Sequence, residues 1–150
     1  MLIMKSGGHM MNKDTDIKYL IDEYKNLKNN EKEVKEDYTQ VRKLVIGRIV
    51  NITNKDFEEC EYILDEESEI ILGLLETIDK NLIDDYLQKL HKYYDIVDKI
   101  TSVNTRLIMI LVQITKFKFD KCCDYFKNDI DVSIKLLEYI DKLEKDKDVK

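Results

Sequence analysis

The stretch Val103 to Thr115, VNTRLIMILVQIT, decides the fold class of this chain. Its apolar residues cover nearly the whole circumference of a helix, whereas a surface helix carries them on one side only. The stretch is also too short to cross a bilayer, which takes about 20 apolar residues. We therefore expect a central helix surrounded by amphipathic helices, with Thr101 or Ser102 as its N-terminal cap.

The rest of the chain predicts those amphipathic helices, because apolar residues recur every three or four positions with charges between them. The first helix is expected from Asp16 to a break at Asn29 and Asn30. A second covers residues 31–50 and ends at a break over residues 51–54. Further helices are expected within residues 56–64, after a start at residues 65–68, over residues 81–100 and within residues 130–143, and a short segment spans residues 119–126. Residues 79–81 either break or bend the helix that begins at residues 65–68. No strand pattern, internal repeat or coiled-coil heptad is evident.

The predicted fold is all-α: a single-domain helical bundle of about seven helices around the central apolar helix Val103 to Thr115. We expect a flexible N-terminal arm at residues 1–15, the bundle at residues 16–144 and a charged tail at residues 145–150. A chain of 150 residues is long enough to bury a core without metal or disulfide support.

The amino-acid composition indicates the type of genome that encodes the chain and excludes some classes of binding partner. The chain has no alanine, proline or tryptophan and has 22 lysines against three arginines, a bias typical of AT-rich genomes. A net charge of −6 disfavours nucleic acid, which binds clustered basic residues. No apolar run is long enough to span a membrane. Three cysteines suit reduced thiols and a cytoplasmic location.

The residues give little support for catalysis. His91 is the single histidine outside the arm, and its place in a helix favours a surface role. Acidic residues at 58–61 and 65–69 suit helix starts, because the positive end of the helix dipole attracts them. Cys122 and Cys123 are adjacent and cannot readily bind one metal together. We expect no enzyme activity, no cofactor and no metal.

The helix pattern resembles the poxvirus Bcl-2-like intracellular immunomodulators. Residues 21–24, Ile-Asp-Glu-Tyr, are similar to the opening helix of that family, and residues 133–143 are similar to its closing helix. The resemblance implies a Bcl-2-like fold and a viral, non-enzymatic protein that antagonises innate immune signalling through NF-κB or interferon in the host cytoplasm. It implies host signalling or apoptosis-related proteins as partners, with a homodimer as a further option.

Two alternatives remain open. One is an inhibitor of apoptosis that holds pro-apoptotic helices in a groove, although residues 104–106 lack the tryptophan and glycine of the signature of such members. The other is a structural or regulatory bundle of an AT-rich organism, without an immune role. By analogy with the family, the candidate protein-interaction residues lie on the first helix and on the short segment before the last helix: Tyr19, Glu23, Tyr24, Phe119 and Tyr125.

Overall fold

Helices make up almost all of the chain that the structure describes. The computed structural model describes residues 16–149, and this part contains six helices and no strand: α1 (Ile17–Thr53), α2 (Phe57–Glu66), α3 (Ser68–Ile78), α4 (Lys80–Thr115), α5 (Phe119–Asn128) and α6 (Ile130–Val149). The predicted all-α class is confirmed, with six helices instead of about seven. The predicted arm at residues 1–15 lies outside the described residues, and α6 continues into the predicted charged tail.

Two of the predicted helix boundaries do not occur. Asn29 and Asn30 lie inside α1, and Thr101 and Ser102 lie inside α4. Such residues cost only about 0.7 kcal/mol relative to alanine in a helix interior, so packing of the flanking turns outweighs them. The break predicted at residues 51–54 does occur, because α1 ends at Thr53.

The stretch Val103 to Thr115 is the end of α4, not a helix of its own. Val103, Leu107 and Ile108 are buried on one side of it. Met109 is 47% exposed and Ile114 is 45% exposed, so other helices do not surround this segment on all sides. Met109 faces away from the buried residues, whereas Ile114, four residues after the buried Ile110, lies at the end of the buried row.

The chain contains two copies of one sequence pattern, 62 positions apart, where no repeat was expected. KYLIDEY at residues 18–24 returns as KNLIDDY at residues 80–86, and LLETIDK at residues 74–80 returns as LLEYIDK at residues 136–142. When residues 18–80 are aligned with residues 80–142, 19 of the 63 pairs are identical, including both of these motifs. We call residues 18–79 repeat 1 and residues 80–141 repeat 2.

The two repeats also share their local structure. The long helices α1 and α4 end at the equivalent residues Thr53 and Thr115. The next residue has a positive φ in both cases, 60° at Asn54 and 65° at Lys116. The ten-residue helices α2 and α5 start at equivalent phenylalanines, and α3 and α6 start at equivalent positions. The repeat is therefore a duplication of structure as well as of sequence.

The structure forms two compact units, and each combines segments of both repeats. Unit 2 comprises Asn29–Val97, which is most of repeat 1 and the beginning of repeat 2. Its core joins Val41, Val45 and Cys60 of repeat 1 with Ile83 and Tyr86 of repeat 2. The first segment of α4 thus completes a core that repeat 1 began.

Unit 1 shows the reciprocal arrangement. It comprises the described residues up to Lys28 and those from Asp98 onward. Its core joins Leu20 and Ile21 of repeat 1 with Leu107, Cys122 and Phe126 of repeat 2. The first segment of each repeat is therefore exchanged into the core that the other repeat mainly builds.

Candidate functional site

An open apolar groove lies on the surface of unit 1. It has a volume of about 370 Å³ and is formed by the end of α4, by α5 and by α6. Its apolar walls face solvent, since Phe117 is 51% exposed and Leu136 is 54% exposed. We call this surface groove 1; among its lining residues are Ile114, Phe117, Lys121, Tyr125, Leu136 and Ile140.

A second open apolar groove lies on unit 2. It has a volume of about 320 Å³ and is formed by the end of α1 and by α3. Leu74 is 59% exposed and Ile78 is 55% exposed on its walls. We call this surface groove 2; among its lining residues are Ile49, Ile52, Ile71, Leu74 and Ile78.

The two grooves occupy equivalent places in the two repeats. The residue 62 positions after each of Ile52, Leu74 and Ile78 lines groove 1 and is of the same type. The lining threonines at the ends of α1 and α4 correspond as well. The duplication therefore produced a pair of related surfaces, each within one unit.

The linings of groove 1 and groove 2 differ at several positions. Ser133 lies where groove 2 has Ile71, and its buried hydroxyl has no hydrogen-bond partner among the described residues. Phe117 and Lys121 also line groove 1, and the Lys121 Nζ lies 4.2 Å from the centre of the Phe117 ring. This distance is within the range of a cation–π interaction.

The charges beside the grooves have opposite signs. Residues 116–121, next to groove 1, carry three lysines and one aspartate, and all six are exposed. The equivalent residues 54–59, next to groove 2, carry one lysine and three carboxylates, and all six are exposed. In the second segment the Lys55 Nζ lies 3.2 Å from a carboxylate oxygen of Glu59. Groove 1 therefore has a basic flank and groove 2 an acidic one.

The structure places all five predicted interaction residues in unit 1 but does not gather them at one site. Tyr125 lines groove 1. Phe119 is 41% exposed at the start of α5 and does not line the groove. On α1, Tyr19 is 39% exposed, Glu23 is half-buried and Tyr24 packs against the core.

Sequence reasoning missed most of the groove residues because it assigned apolar residues to the core. Leu74, Ile78, Leu136 and Ile140 lie on helices with more apolar positions than one buried side can take up. The repeated motif Leu-Leu-Glu-x-Ile-Asp-Lys was the available signal. In both copies its second leucine is buried and its first is exposed.

Unit 2 also contains a polar cluster away from its groove. The Arg42 Nη2 donates to Asp65 Oδ1 at 2.9 Å and to Glu61 Oε2 at 3.3 Å. Burial alone would lower the pKa of Arg42, but the bond to Asp65 raises it above its ordinary value. The pKa of Tyr86 lies well above its usual range, chiefly because the side chain is buried and secondly because of a hydrogen bond with Tyr38. These contacts hold α1 against α2 and α4.

Apart from the adjacent Cys122 and Cys123, the cysteine and histidine side chains that the structure describes lie far from one another along the chain. Cys60 and Cys122 are buried, Cys123 is half-buried and His91 is exposed. Within residues 16–149, no group of three or more histidine, cysteine or carboxylate side chains is placed to hold a metal ion. No helix in this part of the chain combines the length and apolar character needed to cross a membrane.

Comparison of the chain with protein-family models, with curated proteins and with solved structures gave no match. The two grooves are therefore the features from which a function can be argued.

Proposed function

We propose that this protein is a non-enzymatic protein-interaction module that binds other polypeptides through grooves 1 and 2. The supporting observation is the pair of equivalent open apolar grooves. A monomer rarely exposes large contiguous apolar patches, and a groove between helices suits the apolar side of a partner's helix. The groove walls offer few polar groups for catalysis, which favours binding over reaction.

A narrower proposal rests on the resemblance to poxvirus Bcl-2-like proteins. In that proposal the protein has a Bcl-2-like fold, acts in the host cytoplasm and antagonises innate immune signalling by binding host adaptors. Its support is the helix pattern of residues 21–24 and 133–143 together with the AT-rich composition.

The grooves themselves favour a second candidate, an inhibitor of apoptosis. Pro-apoptotic helices present apolar side chains at intervals of three and four residues, and such a row fits a groove lined by leucine and isoleucine. The two candidates differ in the identity of the partner, not in the surface.

The test is affinity capture from stimulated human cell lysate with wild-type protein and with groove variants. Leu136→Asp places a charge in groove 1, and Leu74→Asp places one in groove 2. Leu44→Asp is the matched control, because Leu44 is 62% exposed and lines neither groove. Circular dichroism confirms that each variant is folded.

Identified partners that are lost with a groove variant, kept with Leu44→Asp and reproduced with purified components support the proposal. Innate-signalling adaptors among them favour the first candidate, and pro-apoptotic proteins favour the second. Capture that is equal for all three variants contradicts binding through the grooves. No specific capture by well-folded wild-type protein favours a structural or regulatory bundle instead.

A further inference from the structure

The charges beside the two grooves indicate which kind of surface binds to the grooves. A groove-lining threonine, Thr53 or Thr115, immediately precedes each charged segment. At the equivalent positions 56 and 118 the residue is aspartate in repeat 1 and lysine in repeat 2. Positions 59 and 121 carry glutamate and lysine. The two repeats therefore share the apolar surface but carry opposite charges beside it.

Local helix stability does not account for the basic segment. In repeat 1, Asp56 caps α2 by accepting a hydrogen bond from the Glu59 amide at 2.8 Å, and carboxylates occupy the first turn. In repeat 2, Lys118 is the N-cap of α5 and makes no side-chain capping bond. Lysines at this end oppose the helix dipole, which favours negative charge there. Their placement suits an acidic surface outside the unit.

The acidic, apolar surface that matches groove 1 is present in the same chain, as groove 2 with its acidic flank. Two copies of groove 1 facing each other would bring like charges together, and so would two copies of groove 2. A contact between groove 1 of one molecule and groove 2 of another pairs apolar walls with apolar walls and lysines with carboxylates. Such charge complementarity selects partners and orientation.

We propose that the occupant of each groove is a second copy of this chain, with groove 1 of one copy bound to groove 2 of the other. The inference rests on the proposed function, because it names a partner for the same grooves. The contact is heterologous, so it forms either a closed assembly or a growing chain of molecules. One kind of contact covers both exposed apolar surfaces.

The test uses charge reversal in the full chain. Variant A carries Lys118→Glu and Lys121→Glu, which makes the flank of groove 1 acidic. Variant B carries Glu58→Lys and Glu59→Lys, which makes the flank of groove 2 basic. All four positions are exposed, and Asp56 keeps its capping role. Lys32→Glu with Lys35→Glu on α1 is the control for the change in net charge that variant A makes.

Sedimentation velocity over a range of concentrations measures association. Wild-type protein should associate beyond the 17.9 kDa chain, and the control should match it. Variants A and B should each associate about tenfold or more weakly, because each alone pairs like charges. An equimolar mixture of A and B should associate again, since the flanks are then complementary. Raising salt from about 0.1 M to about 1 M should weaken wild-type association, because the Debye length falls from about 10 Å to about 3 Å.

Wild-type protein that stays monomeric at every concentration overturns the inference, and so does a mixture of A and B that behaves as its components do. Groove-dependent capture of other proteins by a strictly monomeric chain would leave the proposed function standing while this inference falls. Self-association that survives in both A and B but is lost in Leu136→Asp would show that apolar contact, not charge, chooses the partner, which also contradicts the inference.

Discussion

The hydroxyl oxygen of Thr53 lies 3.7 Å from the sulfur of Cys60, and this contact joins the end of α1 to α2. The duplicated pair, Thr115 and Cys122, lies at 3.6 Å. The Thr53 hydroxyl also donates to the Ile49 carbonyl oxygen at 2.8 Å and accepts from the Lys55 amide at 3.3 Å. Both repeats thus end the long helix with the same threonine and pack the following helix against it.

Replacing either threonine by valine keeps its shape and removes these hydrogen bonds. We expect Thr53→Val and Thr115→Val each to lower the free energy of unfolding by about 1 kcal/mol, the usual net contribution of a hydrogen bond. Thr105→Val is the control, since the exposed Thr105 hydroxyl bonds to the Thr101 carbonyl four residues earlier in the same helix. Urea unfolding followed by circular dichroism measures the three values. An effect of Thr105→Val equal to the other two would contradict the role of the helix-ending threonines.

Lys116 has a positive φ of 65°, and a second prediction follows from this conformation. A residue with a Cβ atom is strained in this conformation by about 1–2 kcal/mol, and glycine is not. We expect Lys116→Gly to raise the free energy of unfolding by about 1 kcal/mol after its greater loss of backbone entropy. Asn54→Gly should gain less, because asparagine tolerates this region better than lysine.

Lys118→Gly is the control for this substitution, because Lys118 has a φ of −68°. Without strain to relieve, glycine there adds only backbone entropy to the unfolded chain, so stability should not rise. Thermal unfolding measures the change in stability of the three glycine variants relative to wild type. Stabilisation by Lys118→Gly equal to that by Lys116→Gly would show that backbone strain is not the cause.

Tyr86 makes unit 2 sensitive to alkaline pH. Burial raises its pKa in the folded protein above the ordinary value of 10.0, so the unfolded chain ionises first as pH rises. The stability that Tyr86 contributes is therefore complete below pH 10.0 and declines above it. Tyr86→Phe should be less stable than wild type at neutral pH, by about 1 kcal/mol for the lost hydrogen bond. The difference between the two proteins should shrink above pH 10.0. A difference that stays constant from neutral to alkaline pH would contradict a neutral, buried Tyr86.

The helical class could be predicted from the sequence because apolar spacing of three and four residues runs through nearly all of it. The length of the two long helices could not be predicted, because asparagine, serine and threonine are only slightly less favourable inside a helix than other residues. At Asn29 and Thr101 the helices continue regardless of that preference, and only the tertiary structure shows this.

The candidate site was harder to predict than the fold. A sequence does not separate the buried Leu137 from the exposed Leu136 beside it unless the packing direction of α6 is known. The repeat could have been found by comparing residues 74–80 with residues 136–142. Between the two motifs, the identical residues are few and scattered, so the repeat is not obvious there. The exchange of Ile21 and Ile83 between cores depends on long-range packing that no local pattern reveals.

Hydrogen exchange read by mass spectrometry tests most directly whether the first segments of the two repeats are exchanged between the two cores. Ile21→Ala and Ile83→Ala each remove a buried side chain at about 2–5 kcal/mol. The structure predicts that Ile21→Ala weakens backbone protection first in α5 and α6, and that Ile83→Ala weakens it first in α2 and α3. If each variant instead loosens the short helices of its own repeat, the exchange is contradicted.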